Sequence, residues 1–169
     1  MIGKTNSGQI SNNEIITFIP WGNGTTEPRY NVDIEPTKTI HAGSSNVTIT
    51  KDLLPSFTNR AAFEAKANNN TSFSDYPSII YEIIQAVRAK YSTARIWYRL
   101  YTTTARVWIY KVKNDDTLEQ LAYYPETTNL DLNDYVDLNL STEKGFKYET
   151  YPFGTNKIGG LEIFGIEYF

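Results

Sequence analysis

The sequence predicts a mostly-β fold, and three observations carry that expectation. Threonine and asparagine are heavily used and tyrosine occurs 13 times; threonine and tyrosine suit half-buried pleated surfaces, and asparagine suits the turns between them. Residues 94–112, ARIWYRLYTTTARVWIYKV, alternate between side-chain classes with a period of two, the signature of strands with one buried face. Short apolar runs are punctuated throughout by Pro, Gly and Asn clusters. Two helical stretches interrupt this pattern, one over about 77–91 and a shorter one over about 58–67.

Taken in order, residues 1–13 are polar and without period and read as a flexible N-terminal arm, ahead of a single β-rich domain over 14–169. Glu14–Ile19 is the first expected strand, closed by Pro20 and the loop WGNGTTEP. Pro28 and Pro36 bracket YNVDIE, which suits only a short or edge strand. Asn46–Thr50 alternates apolar and hydroxyl side chains, as a strand with one wet face does. Thr58–Ala67 spaces alanines and charges helically, with Thr58 or Asn59 as caps. From Pro77 to Tyr91, residues Ile80, Ile83, Ile84, Val87 and Tyr91 share one helical stripe. Asp75 is placed to cap it and Pro77 suits its first turn. After the 94–112 pair, the turn KNDD leads into Leu118–Tyr124, the third strand of a meander. Leu130–Leu140 reads as a strand with a bulge or turn at Asn133–Asp134. Phe146–Tyr151 and Leu161–Phe169 complete the chain.

The 94–112 stretch reads as one hairpin. With Trp97 facing Trp108, Ile96 pairs with Ile109, Tyr98 with Val107 and Leu100 with Ala105, giving a wholly apolar or aromatic face. The other face carries Arg95, Trp97, Arg99 and Tyr101 opposite Tyr110, Trp108, Arg106 and Thr104. A slip by one residue would expose the aliphatic set, so burial opposes it. Two uses of the Arg/Trp/Tyr face stay open. It is covered, with its arginines met by Asp or Glu, or it is an open platform. Rings on such a platform stack on sugars, and guanidinium groups bond hydroxyls or carboxylates. The same residue types also anchor protein interfaces.

The totals bound the function classes. A chain of 169 residues is one domain's worth, and 40% hydrophobic residues suffice for a core without staples. With no cysteine there is no disulfide, thiolate zinc site or cysteine nucleophile. A net charge of −3 argues against nucleic acid as a partner. Neither a signal peptide nor a membrane span is expected, and the chain reads as cytosolic when made.

Individual motifs are weak. The lone histidine, His41, sits in a turn-like context, IHAGSS, and reads as solvated. Asp131, Asn133, Asp134 and Asp137 gather hard oxygen donors as a calcium loop does, but lack the glycine of a calcium-binding hand, and turn chemistry explains Asn133–Asp134. Glu27, Glu35, Glu162 and Glu167 are the carboxylates from which a hydrolase would draw a pair. Gly22, Gly24, Gly159 and Gly160 precede no phosphate-binding helix. Asn23, Asn46 and Asn139 match the glycosylation pattern by chance. No cofactor is implied.

The C-terminal stretch IGGLEIFGIEYF, residues 158–169, resembles the last strand of galactose-binding-like sandwiches and of bacteriophage virion accessory domains. That resemblance implies an antiparallel β-sandwich of the jelly-roll kind used for adhesion, decoration or assembly. A helix as long as 77–91 departs from it and leaves room for an α+β sheet with the helix on one face. The expectation is therefore a non-enzymatic structural protein: a head-decoration, fibre or tail-attachment piece of a virion, assembled in the host cytoplasm, acting through protein contacts as a homo-oligomer or within a larger viral assembly. The alternative is a carbohydrate-binding module using Arg95, Trp97, Arg99, Tyr101, Arg106, Trp108 and Tyr110. A hydrolase is the third reading.

Overall fold

A computed structural model describes residues 36–53, 61–127 and 129–169. Ten strands and one helical turn follow in order: β1 (Thr37–His41), β2 (Val47–Leu53), β3 (Ala61–Ala67), β4 (Ser78–Glu82), α1 (Gln85–Arg88), β5 (Thr93–Thr102), β6 (Ala105–Lys113), β7 (Leu118–Thr127), β8 (Asp131–Asn139), β9 (Glu143–Pro152) and β10 (Ile158–Tyr168). They form two five-stranded sheets, β1-β4-β9-β6-β7 and β2-β3-β10-β5-β8, called here the β6 sheet and the β5 sheet. Every pairing is antiparallel. Without β1 and β2, the orders β4-β9-β6-β7 and β3-β10-β5-β8 are those of an eight-stranded jelly roll, the expected sandwich class.

The core lies between the sheets. Phe63, Ile79, Tyr81, Ile96, Leu100, Ile109, Phe146, Tyr148, Leu161 and Tyr168 are all buried. Rings from opposite sheets interlock, Phe63 edge-on to Tyr148 at 5.8 Å and Tyr98 against Phe146 at 5.3 Å. Such pairs add about 0.5–1.5 kcal/mol beyond the area they bury.

Both expected helices are corrected. Most of 77–91 is β4 followed by the four-residue α1. Ile79 and Tyr81 face the core and Ile80 and Glu82 do not, because β4 is flanked by β1 and β9, which take its backbone groups. Its β-branched isoleucines cost less in a pleated strand than in a helix. Only Val87 and Tyr91 of the supposed stripe lie within or just after the single turn. The α+β alternative falls with it. Ala61–Ala67 is likewise a strand, held between β2 and β10. Hydrogen bonding along both edges overrides the helix preference of its alanines.

The hairpin is corrected as well. Its arms are β5 and β6, but they do not pair. β5 lies between β10 and β8, and β6 between β7 and β9 in the opposite sheet. Thr103 and Thr104 carry the chain across the sandwich. The inward set holds Ile96, Tyr98 and Leu100 on β5 and Ala105, Val107 and Ile109 on β6, as expected, and adds Ala94. Two amphipathic strands can share a buried face by pairing side by side or by packing face to face, and here they pack face to face. The meander partner of β6 is β7, as expected from KNDD.

β8 needs no bulge. Its register with β5 runs unbroken from Asp131 to Asn139, so Leu132, Val136 and Leu138 all point inward and Asp134 takes the remaining inward position, at the exposed rim. The arm 1–13, strand 14–19, YNVDIE, Trp21, Gly22, Asn23, Gly24, Glu27, Glu35, Thr58 and Asn59 lie outside the described residues. No helix among the described residues is long and apolar enough to cross a membrane.

Candidate functional site

Because β5 and β6 lie in different sheets, the seven ladder residues divide between the two outer faces of the sandwich. Arg95, Trp97, Arg99 and Tyr101 point outward from the β5 sheet; Arg106, Trp108 and Tyr110 point outward from the β6 sheet. No single platform contains both tryptophans.

On the β5 sheet the arginines are satisfied. Arg95 grips Asp137 through two hydrogen bonds of 2.7 and 2.8 Å, and Arg99 grips Asp131 through two of 2.8 and 3.0 Å. Arg99 also lies 3.6 Å from Glu162. The hydrogen bond and the charge of Arg99 hold the Asp131 carboxyl below its ordinary range. Trp97 donates from Nε1 to Glu167 at 2.9 Å and leans on Tyr135, over which the Arg95 guanidinium lies at 4.3 Å. A bulge in β10 between Ile163 and Gly165 makes this possible. It keeps Leu161, Ile163, Ile166 and Tyr168 in the core while Glu162 and Glu167, five positions apart, both face outward. Tyr101 lies across Gly160, where a Cβ would come within 2.1 Å of its ring, and donates to Glu64 at 2.7 Å. Burial pulls the Glu64 carboxyl upward, but the Tyr101 and Thr50 hydroxyls and Lys51 outweigh it and hold it below its usual value. On this face the arginines are met by aspartates, the arrangement of the covered alternative.

The calcium candidates are committed elsewhere. Asp131 and Asp137 serve the two arginines, and at roughly 3.3 Å per residue they stand about 20 Å apart along β8. Asn133 lies opposite Arg99 in register, and Asp134 accepts from the Tyr135 amide at 2.8 Å. Among the described residues no group of three or more His, Cys, Asp or Glu side chains is placed to hold a metal. His41 ends β1, exposed, with Nε2 2.6 Å from Asp75.

The β6 sheet carries a different arrangement. Trp108 stacks on Tyr123 of β7 at 5.2 Å and, on its other side, on Tyr76 at 5.3 Å; Tyr76 in turn stacks on Tyr151 of β9 at 4.9 Å. Phe73 meets Tyr151 edge-on at 4.6 Å, and Phe153 tilts against it at 4.8 Å. The Arg106 guanidinium sits 5.5 Å from the Tyr151 centroid and 5.4 Å from that of Phe153. This aromatic row ends in a cleft of about 630 Å³ lined by Phe73, Tyr76, Tyr151 and Phe153 with Asn70, Ser72, Arg106 and Gly154. Tyr110 lies farther along β6, under Lys147.

Two loops frame the cleft, the one between β3 and β4 and the one between β9 and β10. Asn70 ties them, its Oδ1 accepting from the Thr155 amide at 2.7 Å and from the Thr155 hydroxyl at 3.2 Å. Gly154 takes φ +103°, a conformation L side chains rarely adopt, and so allows the second loop its tight turn. Arg106 is on a strand paired on both edges, and its carbonyl accepts from Thr150 at 3.0 Å. Arg106 and Tyr151 therefore rest on strands, and Asn70, Ser72, Phe73, Tyr76 and Phe153 on the two tied loops.

Of the cleft residues, sequence reasoning named only Arg106, with Trp108 beside it. Phe73, Tyr76, Tyr151 and Phe153 were missed. Their signal is the aromatic spacing in FSDYP and YPFG, large rings set beside turn residues, where no core-facing alternation explains them.

No family model matches the chain, and no curated protein does. Several solved structures follow a similar backbone course. One is a mutant of the carbohydrate binding module CBM29-2 complexed with mannohexaose, 6% identical, with a TM-score of 0.48 over 92% of this chain and 90% of that one. Another is the enzymatically active domain of bacteriophage CBA120 tailspike protein 4, 14% identical, with a TM-score of 0.46 over 94% of this chain and 22% of that one. A third is a cleaved adhesin domain of Lys-gingipain from Porphyromonas gingivalis w83, 8% identical, with a TM-score of 0.44 over 79% of this chain and 97% of that one. These are likenesses of backbone course and say nothing of what this chain binds.

Proposed function

We propose that this protein is a non-catalytic carbohydrate-binding module, and that the ligand lies in the cleft walled by Tyr76, Tyr151 and Phe153 rather than on the Trp97 face. The carrying observation is the cleft itself: four aromatic walls beside an amide, a hydroxyl and a guanidinium. Sugar rings present apolar C–H faces that pack on aromatic rings and equatorial hydroxyls that need directional partners, and this lining offers both. Binding is favoured over cleavage because no carboxylate is among the described lining residues, whereas glycoside hydrolysis ordinarily draws on two. Glycan-array screening of the wild type with Tyr151→Ala and Trp97→Ala tests this. Loss of signal in the first and retention in the second is expected; a silent array ends the reading.

A second reading, assembly through protein contacts as in a virion component, is favoured by β7. This edge strand of the β6 sheet exposes Leu118, Leu121 and Tyr123 at 45%, 40% and 43%. Edge strands with exposed apolar side chains are sites of self-association. Light scattering after size exclusion decides it: an oligomer that Leu121→Lys dissociates supports it, and a wild-type monomer at high concentration removes the homo-oligomer.

A further inference from the structure

Resting on the carbohydrate reading, we propose that Gly43, in the link between β1 and β2, is a positioning residue for the cleft. It seats the backbone of residues 75–77 and so fixes where the Tyr76 ring stands. This link and the β3–β4 loop both carry the chain from one sheet to the other, and they pack together. Gly43 takes φ +75°, and a Cβ there would come within 2.7 Å of the Pro77 nitrogen and 2.8 Å of the Asp75 carbonyl oxygen. Both are backbone atoms, one on each side of Tyr76, and neither can swing aside as a side-chain tip can. The Ser44 amide donates to that same Asp75 carbonyl at 3.0 Å, and the Thr150 amide of β9 donates to the Pro77 carbonyl at 3.1 Å. The backbone is thus held on both sides of Tyr76, and its ring lies between Trp108 and Tyr151.

Magnitudes separate this contact from its neighbour. His41 also reaches Asp75, Nε2 to Oδ1 at 2.6 Å, but the two side chains are 57% and 61% exposed, and exposed pairs of this kind hold little. A Cβ within 3.0 Å of backbone must displace it, and dense packing passes a displacement on rather than absorbing it. The atoms that must give belong to Asp75 and Pro77, with Tyr76 between them. Groups that line a binding site need to stand within about 0.5 Å of their working positions. None of residues 42–46 is among the described lining residues, yet the link sets the position of one cleft wall.

The test compares Gly43→Ala, Gly43→Asn and His41→Ala with the parent protein. Trp108 fluorescence is read in a Trp21→Phe, Trp97→Phe background, and affinity is read in otherwise wild-type protein by calorimetric titration with the strongest binder of a glycan array. Asn adopts a positive φ more readily than Ala but carries the same Cβ, so it separates the bend from the contact. Both Gly43 variants are expected to raise acrylamide quenching of Trp108 and to weaken binding at least about tenfold. His41→Ala should change affinity by about twofold or less. Wild-type affinity in Gly43→Ala overturns the proposal and leaves the carbohydrate reading intact. Wild-type behaviour in Gly43→Asn alone also overturns it, because the bend and not the contact would then be what matters. If the Gly43 variants do not fold, Tyr76→Ala gives the reciprocal reading: with the ring gone the Ser44 amide should exchange faster with solvent, and unchanged exchange refutes the coupling. A silent array removes the carbohydrate reading, and the quenching of Trp108 then decides by itself whether Gly43 places Tyr76.

Discussion

The ring of Tyr76 lies parallel to that of Trp108, 12° between planes and 5.3 Å between centroids, although the two come from a loop and from a strand 32 positions later. Tyr76 has Tyr151 on its other side and so joins the β6 strand to the cleft wall. Replacing it should expose one face of Trp108. In a protein carrying Trp21→Phe and Trp97→Phe, Tyr76→Ala is expected to red-shift the remaining tryptophan emission and raise its quenching by acrylamide. The lost stacking should cost about 0.5–1.5 kcal/mol per ring pair. Unchanged emission and quenching would show that the stack is not held in solution.

Gly160 is required by Tyr101 rather than by its own backbone. A methyl group there would occupy the ring's position, 2.1 Å from Cζ, and the ring is tethered by its bond to Glu64. Gly160→Ala is expected to destabilise the fold by about 1–3 kcal/mol in urea. In a Tyr101→Ala background the same change should cost little, a coupling that a double-mutant cycle measures directly. Additive losses would mean that the glycine is needed for another reason.

Glu143, the first residue of β9, is buried and accepts from the Asn139 amide at 2.8 Å and from Lys111 and Lys113 at 3.1 and 3.3 Å. Burial pushes its carboxyl upward, but the Asn139 amide and the two lysines more than offset this and hold it below its ordinary value. A depressed folded-state pKa contributes stability that is complete above the unfolded value, near 4.5, and is lost as pH falls through the lower folded value. Urea unfolding should therefore weaken steeply on the acid side of about pH 4.5. In Glu143→Gln that part of the slope should flatten, with a loss of about 1–3 kcal/mol at neutral pH from the altered buried partners. An acid limb identical in both proteins would exclude Glu143 as its source.

Asn70 is exposed and its cross-loop bonds are local, so Asn70→Ala should barely change global stability, by less than about 1 kcal/mol. The Thr155 amide, which loses its acceptor, should exchange with solvent markedly faster, while that of Thr150, which donates to the Pro77 carbonyl, should not. Equal protection of Thr155 in both proteins would show that the loops are tied by something else.

The strand alternation of 94–102 and 105–113 was legible because side-chain direction along a strand depends only on local geometry. The same reasoning misassigned β3 and β4, whose alanines and isoleucines fit a helical stripe and a pleat equally well. What decided them was hydrogen bonding to β10 and β9, strands far along the chain. Arg106 and Trp108 could be singled out as interleaved cation and indole. The remaining cleft rings stand out beside turn residues but not as one site, because 73, 76, 151 and 153 meet only once β9 has come to lie between β4 and β6.

By itself, then, the sequence determined which side chains of each long strand are greasy and which are aromatic or charged, and hence that a two-faced β protein would form. Only the tertiary structure decided that β5 and β6 belong to opposite sheets. An extended segment offers hydrogen bonds on both edges and apolar contact on one face, and local pattern specifies the face while leaving the neighbour open. That choice, made by chain closure across the whole domain, put Trp97 among carboxylates and Trp108 beside a cleft.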